Sequence, residues 1–354
     1  MPLGVCALKA YLKKNGVINT SVLDLNIKSF LNAEHKYLWE DEKLKYWLYE
    51  DLFYKKILPI LDIDNMLRQI FAKNPDVIGF TVNAASIHSA LYLIREIKKH
   101  TKVRVVAGGA LCHENNAKIF LNSGVDAVVI GEGEETLLEL VNDFTLHKGV
   151  YMLDDGKPVY GGKRDLLDIE TLPFPDFDDI IDDYCNIGSH VWVSTSFVRG
   201  CPNKCAFCEE SPFWNRVRQR SPEKIVEELT FLKERYNTNY FYKSDSILAA
   251  NPKTLERVCD YIIDNNLQLH WFSQARLDKW LTKDLLVKMS KAGCTDLSFG
   301  AESGSQKVLD FMHKNTNVSE MVRIIKEARQ AGINVNITLM VGAPKENLID
   351  FLKP

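Results

Sequence analysis

Cys201, Cys205 and Cys208 stand in the run Arg199-Gly-Cys-Pro-Asn-Lys-Cys-Ala-Phe-Cys-Glu-Glu210. Three thiolates at this spacing can hold three irons of a 4Fe–4S cluster and leave the fourth iron open. Such clusters usually take four cysteine ligands, so a set of three calls for a second molecule on the last iron. An open iron can bind and reduce a small molecule, which points to chemistry rather than electron storage. A zinc site wants four ligands, commonly in paired CxxC units, and the chain has no second pair. The other five cysteines (Cys6, Cys112, Cys185, Cys259 and Cys294) are scattered singly and read as small core residues. Their spacings form no disulfide framework, and a chain of this size does not need one.

The elements around the triplet must place it. From Val191 onward, strand-like and helix-like segments alternate as in a (β/α) barrel, with strands expected at Val191–Val198, Tyr240–Lys243, Gln268–Ser273, Asp296–Gly300 and Val335–Val341. Ser221 can cap a helix that Pro222 opens, with Ile225, Val226, Leu229 and Leu232 as its buried stripe. Thr282 can cap another, which Gly293 ends. The cysteine run follows the first strand directly, so it would lie at the carboxyl-end mouth where barrel active sites sit. The other strand ends are polar: Lys243-Ser-Asp245, Gln274-Ala-Arg276, Ala301-Glu-Ser303 and Gly342-Ala-Pro-Lys-Glu346. Those residue types suit an amino-acid carboxylate, a ribose and an amino group. Arg276 and Glu302 are equally compatible with a structural ion pair across the mouth.

The first half reads as a second α/β layer, with strands expected at Ser21–Leu25, Val77–Val82, Val103–Ala107 and Ala127–Ile130. Amphipathic helices lie between them, one carrying Ile87, Leu91, Ile94 and Ile97 on a single face and another running from Glu134 to Leu146. Strand ends at Thr81-Val82-Asn83, Gly108-Gly109 and Gly131-Glu132-Gly133 are small or polar. In doubly wound sheets such ends form the ligand crevice. Residues 27–66 form an insertion rich in aromatic, acidic and lysine residues, with a helical period around Leu44–Leu58; packing is the favoured reading over a substrate-facing role. Between the halves, Asp154-Asp-Gly156 and Gly161-Gly162 mark a hairpin. The acidic run Asp176, Asp178, Asp179, Asp182 and Asp183 reads as a solvated face on an extended connector. The expected division is 1–148, a connector 149–190, and 191–354.

At 354 residues the chain can hold two domains. Its 46% hydrophobic and 26% charged residues are ordinary for a globular protein. A net charge of −3 gives no electrostatic case for nucleic acid or an acidic membrane as partner. No apolar run approaches the ~18–20 residues of a membrane span, and no secretory signal is visible. The cytoplasm is the expected compartment for reduced cysteines and an oxygen-sensitive cluster.

In the first half, Pro2-Leu-Gly4, Leu23-Asp-Leu-Asn26, Pro75-Asp-Val-Ile-Gly-Phe-Thr-Val82, Val106-Ala-Gly-Gly109 and Gly124-Val-Asp-Ala-Val-Val-Ile-Gly-Glu-Gly-Glu134 together resemble the cobalamin-binding domain of cobalamin-dependent radical S-adenosylmethionine enzymes. In the second half, the cysteine run, Trp214-Asn-Arg-Val-Arg-Gln-Arg-Ser221, Ala275-Arg-Leu-Asp278, Gly300-Ala-Glu-Ser-Gly304 and Gly342-Ala-Pro-Lys-Glu346 resemble the radical S-adenosylmethionine core. The resemblance implies a Rossmann-like (flavodoxin-like) cobalamin-binding domain lacking its first strand, then a partial (β/α)6 barrel that stops past the fifth strand. It implies that Thr81, Val82, Asn83, Gly108, Gly109, Gly131, Glu132 and Gly133 line a corrinoid. Methionine amino and carboxylate groups would chelate the open iron. Phe207 would lie near the adenine, Asp245 by the methionine amino group, Glu302 near the ribose, and Gly342 and Glu346 beside the adenine, with Arg276 among the S-adenosylmethionine contacts. A cobalt-ligating histidine, where the family has one, lies in a motif whose glycine corresponds to Gly4, so its presence is not readable.

The implied activity is reductive cleavage of S-adenosylmethionine to a 5′-deoxyadenosyl radical, with cobalamin-dependent methyl transfer to an unactivated carbon or phosphorus. The implied partners are a small-molecule or natural-product-type substrate and an electron donor such as flavodoxin or ferredoxin. Cyclisation or rearrangement, a relic first domain that binds no corrinoid, and a cobalamin or redox sensor are the alternatives. An RNA methylthiotransferase fits less well, because Cys6 and Cys112 do not make the extra cysteine triplet such enzymes carry.

Overall fold

The computed structural model describes residues 1–214 and 216–353. Asn215, inside the Trp214–Ser221 stretch, and Pro354 lie outside the described residues. The chain forms two compact units: 2–167 with 173–189, and Met1 with 168–172 and 190–354.

In the first unit, β1 (Val77–Thr81), β2 (Arg104–Gly108) and β3 (Ala127–Val129) pair in parallel. A hairpin, β4 (Val150–Asp154) and β5 (Lys157–Tyr160), continues the sheet antiparallel, in the order β1-β2-β3-β4-β5. Its turn residues Asp155 and Gly156 have φ of 46° and 74°, as a two-residue turn with both centres left-handed requires. The helix Ile87–His100 buries Ala90, Leu91, Leu93, Ile94 and Ile97. Leu38, Trp47, Phe53 and Ile57 from the insertion are buried in the same cluster. The insertion is thus a run of short helices whose apolar side chains complete this core, as the packing reading expects.

Two features of this unit differ from expectation. Ser21–Leu25 is not a strand. The Val22 N–H donates to Asp179 Oδ2 at 2.7 Å, and Asp24 Oδ1 caps the helix Leu25–Asn32 by accepting from the N–H groups of Asn26 and Ile27. An N-cap aspartate satisfies helix-end donors that strand pairing would leave elsewhere, so the local chemistry favours a helix start. The acidic run is a solvated face only in part: Asp178, Asp179 and Asp182 are exposed, but several of its carboxylates take lysines. Asp176 pairs with Lys9 at 2.9 Å and Lys13 at 2.8 Å, Asp179 with Lys9 at 2.7 Å, and Asp183 with Lys28 at 2.9 Å. Lys9 is only 2% exposed. A buried ammonium needs paired acceptors, which is why two aspartates converge on it.

In the second unit, five strands run parallel: β6 (Trp192–Thr195), then, after β7 (Val198–Arg199) and β8 (Arg218–Gln219), β9 (Tyr240–Lys243), β10 (His270–Arg276), β11 (Cys294–Glu302) and β12 (Asn334–Leu339). Their order is β12-β11-β10-β9-β6, the sequential neighbour order of a barrel wall. The helix Pro222–Tyr236 has Ser221 Oγ accepting from the Lys224 N–H at 3.1 Å and ends on Asn237 in the left-handed region. Thr282 caps Lys283–Lys291 by accepting from the Leu285 N–H at 3.3 Å. The expected first strand is broken: β6 ends at Thr195, and Val198–Arg199 pairs instead with Arg218–Gln219 in a two-stranded ribbon. No helix of the described residues is long and apolar enough to cross a membrane.

Candidate active site

The break between β6 and β7 sets up the cysteine loop, and Asp245 holds it. Its carboxylate accepts from Ser196 Oγ at 2.6 Å, from the Phe197 N–H at 2.9 Å and from the Val198 N–H at 3.1 Å, and it pairs with Lys243. Asp245 is 3% exposed. The expectation that Asp245 takes a ligand amino group therefore meets a carboxylate whose acceptor positions already carry three donors and an ammonium. Lys243 also donates to the Ile247 carbonyl at 3.0 Å, and burial pushes its ammonium below the usual lysine range although Asp245 pulls it back. The chain leaves the bend as β7, passes through the cysteines and returns as β8, so the ribbon closes the loop at its base.

Within that loop, Cys201, Cys205 and Cys208 are each partly exposed. Arg276 Nη1 donates to Cys205 Sγ at 3.2 Å, and Asn203 Nδ2 to Cys201 Sγ at 3.5 Å. Donors aimed at sulfur suit thiolates, and hydrogen bonds to sulfur are among the terms that set a cluster's potential. Among the described residues, no three histidine, cysteine or acidic side chains converge as ligands of a single ion would. Cluster thiolates bind separate irons and need not converge, so the donor set fits an iron–sulfur cluster.

Arg276 and Glu302 do not pair with each other. The Arg276 guanidinium also donates to the carbonyl of Lys314 and lies 3.4 Å from Asp278 Oδ1. Glu302 instead takes the ammonium of Lys314 at 2.7 Å on Oε1. Lys314, 4% exposed, lies with its Nζ 5.6 Å from the centroid of the Phe207 ring. Sequence inspection missed Lys314. It sits between His313 and Asn315, both with φ of 53°, so a turn brings it back onto the strand end. A non-glycine pair of positive φ values is not written in a side-chain pattern.

Gly342 and Glu346 meet each other: the Gly342 N–H donates to Glu346 Oε2 at 2.7 Å, closing the loop after β12. In the first unit, Thr81, Val82, Asn83, Gly108, Gly109, Gly131, Glu132 and Gly133 all follow or end β1, β2 and β3 at the carboxyl edge of one sheet. Thr81 and Asn83 are exposed, whereas Val82 is buried. Gly109 has φ of 108°, and a Cβ there would stand 2.8 Å from the backbone N and O of Val82; glycine alone permits that approach. Gly131 opens onto free space. Asn83 Oδ1 caps its own turn through Ala85 and Ser86, and Glu132 Oε2 accepts from the Leu167 N–H at 3.0 Å. An edge of small residues and short turns leaves room for a flat, bulky ring system, so these loops fit a corrinoid.

The remaining cysteines separate from the triplet by chemistry. Burial pushes the thiols of Cys6, Cys112 and Cys259 up to about 12 and that of Cys294 well above its ordinary value. Cys185 is exposed, against the expectation of a core residue. Thiolate fraction and access control reactivity. In the metal-free native chain, iodoacetamide at about pH 8 should therefore label Cys185, Cys201, Cys205 and Cys208, with the other four reacting only after unfolding. Peptide mapping checks this, and labelling of Cys6 or Cys112 in the folded chain would contradict the packing described.

Residues 195–353 match the family model of the radical SAM superfamily, and residues 51–141 match that of the B12 binding domain. The chain carries a B12-binding domain followed by a radical SAM domain. An uncharacterized methyltransferase of Pyrococcus horikoshii is 27% identical over 90% of this chain and 69% of its own length. The anaerobic magnesium-protoporphyrin IX monomethyl ester cyclase of Rubrivivax gelatinosus is 27% identical over 81% of this chain and 54% of its own. Among solved structures, the cobalamin-dependent S-adenosylmethionine radical enzyme OxsB with aqua-cobalamin bound superposes with a TM-score of 0.79 at 16% identity, over 100% of this chain and 49% of that one. That likeness is one of fold. The chain thus spans from about half to about two-thirds of the length of these proteins.

Proposed function

We propose that this chain carries the catalytic part of a radical S-adenosylmethionine enzyme whose reaction is cobalamin-dependent methyl transfer to an unactivated carbon or phosphorus centre. The observation that carries this reading is the cysteine loop. Three accessible thiols, two of them with N–H donors on sulfur, follow directly from a broken first strand of a parallel barrel wall. When bound, the cluster and corrinoid supply the electron that cleaves S-adenosylmethionine to the 5′-deoxyadenosyl radical and the methyl group to be transferred.

The residues of this chain have the remaining tasks. Cys201, Cys205 and Cys208 would hold three irons. Arg276 would keep the Cys205 sulfur oriented, and Phe207 and Glu302 would receive the adenosine end. Gly342 and Glu346, joined to each other, would form a loop beside the adenine. Asp245 would act as a positioning residue for the loop. Thr81, Val82, Asn83, Gly108, Gly109, Gly131, Glu132 and Gly133 would line the corrinoid. A small-molecule substrate and a flavodoxin- or ferredoxin-type donor follow from the same reading. The cyclase name of one relative keeps corrinoid-assisted ring formation as the second reading.

Anaerobic reconstitution tests the proposal. Iron near four per chain, a reduced-cluster spectrum that changes with S-adenosylmethionine, release of 5′-deoxyadenosine and retention of added cobalamin are the expected results. A chain that takes up iron but neither binds nor cleaves S-adenosylmethionine would overturn it. Cleavage without cobalamin retention would favour the relic first domain.

A further inference from the structure

The turn at residues 312–315 touches the cysteine loop in several ways at once. The Ala206 N–H donates to the Met312 carbonyl at 2.9 Å. The Lys314 carbonyl accepts from Arg276, whose other arm reaches Cys205 Sγ. The Lys314 ammonium lies over Phe207 and donates to Glu302 Oε1. Glu302 itself has φ of 66° and sits where the β11–β12 register shifts, a conformation that persists only where its surroundings impose it. Among the described residues Oε2 of Glu302 makes no hydrogen bond, so the ammonium fixes one carboxylate oxygen and leaves the other as an acceptor. Gly300 makes the room for this pair. A Cβ there would stand 2.6 Å from Glu302 Oε1 and 3.1 Å from Lys314 Nζ.

We propose that Lys314 is a positioning residue that fixes the Glu302 carboxylate and the Phe207 ring, and through them the seat of the adenosine end of S-adenosylmethionine. The inference rests on the proposed function. Its charge balance is closed on the spot: Lys314 answers Glu302, and Arg276 answers Asp278 and the Cys205 sulfur. A buried ammonium beside an aromatic face and a carboxylate is strong in both contacts because little water competes. Its effect on a ligand would therefore be one of placement, not of direct chemistry.

Three variants test it: Lys314→Met, Lys314→Arg and Gly300→Ala. Gly300→Ala keeps every charged group and pushes the pair apart at its flexible ends, so it reports on placement even where Lys314→Met fails to fold. With reconstituted protein, Gly300→Ala and Lys314→Met should keep the wild-type iron content. Both should bind S-adenosylmethionine about tenfold more weakly, as loss of one charge-assisted contact would. Their ligand-induced change in the reduced cluster's electron paramagnetic resonance spectrum should shrink, and Lys314→Arg should recover most of both. Wild-type affinity and spectrum in Gly300→Ala would overturn the proposal, as would Lys314→Arg and Lys314→Met being equally impaired. If the wild-type chain itself fails to bind S-adenosylmethionine, the functional reading falls instead.

Discussion

Cys205→Ala should give a chain that melts like the wild type, retains less iron after anaerobic reconstitution and releases 5′-deoxyadenosine only at background level. The expectation follows from position and partners. Cys205 is partly exposed and its only described contact through sulfur is the Arg276 donor. Arg276 keeps the Lys314 carbonyl and Asp278 when the sulfur is removed, so no buried charge is stranded. Stability should change by about 1 kcal/mol or less, the range of substitutions away from a packed core. The chemistry has no such reserve, because a cluster held by three cysteines that must keep one iron open has no ligand to spare. Iron assay, calorimetry and product chromatography separate the two effects. Wild-type release of 5′-deoxyadenosine from Cys205→Ala would remove the cysteine triplet from the mechanism.

Lys243→Met should be the most destabilising of the substitutions considered, by about 3–5 kcal/mol, the usual cost of stranding one member of a buried ion pair. Asp245 would keep its three hydrogen-bond donors from Ser196, Phe197 and Val198 but lose the one cation it pairs with among the described residues, at 3% exposure. The melting temperature should fall on the order of 10 °C. The double variant Lys243→Met/Asp245→Asn removes both charges and should recover most of the loss, a coupling that only contacting residues show. Because Asp245 holds the bend where β6 becomes β7, the single variant should also lower iron retention in the fraction that remains folded. A Lys243→Met chain that melts within about 1 kcal/mol of wild type would show that the bend does not depend on this pair.

A second buried pair shows the same economy of design. Arg220 reaches Glu228 and donates to the Ile169 carbonyl at 3.0 Å. Burial pushes the Glu228 carboxyl up to about 7, against the pull of Arg220. The Arg220–Glu228 pair joins the stretch after β8 to the helix Pro222–Tyr236, whereas Lys243 and Asp245 stand two residues apart and it is their burial that the order of residues does not show.

The expected strand Tyr240–Lys243 coincides with β9, and the strands anticipated around 270, 296 and 335 are present with shifted ends. Apolar residues that must face helices on one side and a barrel interior on the other produce that signal locally. The hairpin at Asp155-Gly156 was equally legible, because its turn needs left-handed backbone at both centres. Ser21–Leu25 was misread because a short apolar run does not declare its period, and Asp24 as a helix cap outweighs it. The ion pairs within the acidic run are not legible in the sequence because the counter-ions, Lys9, Lys13 and Lys28, lie far upstream. The Arg276–Glu302 pair that the sequence also allowed does not form, and the partners these residues take instead meet through the turn at Lys314.

The order of residues alone determined what could bind: three thiols in eight residues, small and polar strand ends, and two alternating α/β halves. Those are local properties of residue type and spacing, and they carried the family. Only the tertiary structure decided which charged side chains remain for a ligand and which hold the scaffold. It turned Asp245 inward onto the bend of the first strand, set Arg276 on the Cys205 sulfur and brought Lys314 to Glu302. Ion pairing and burial depend on distance in space, and the chain's order does not encode that distance until the elements have packed.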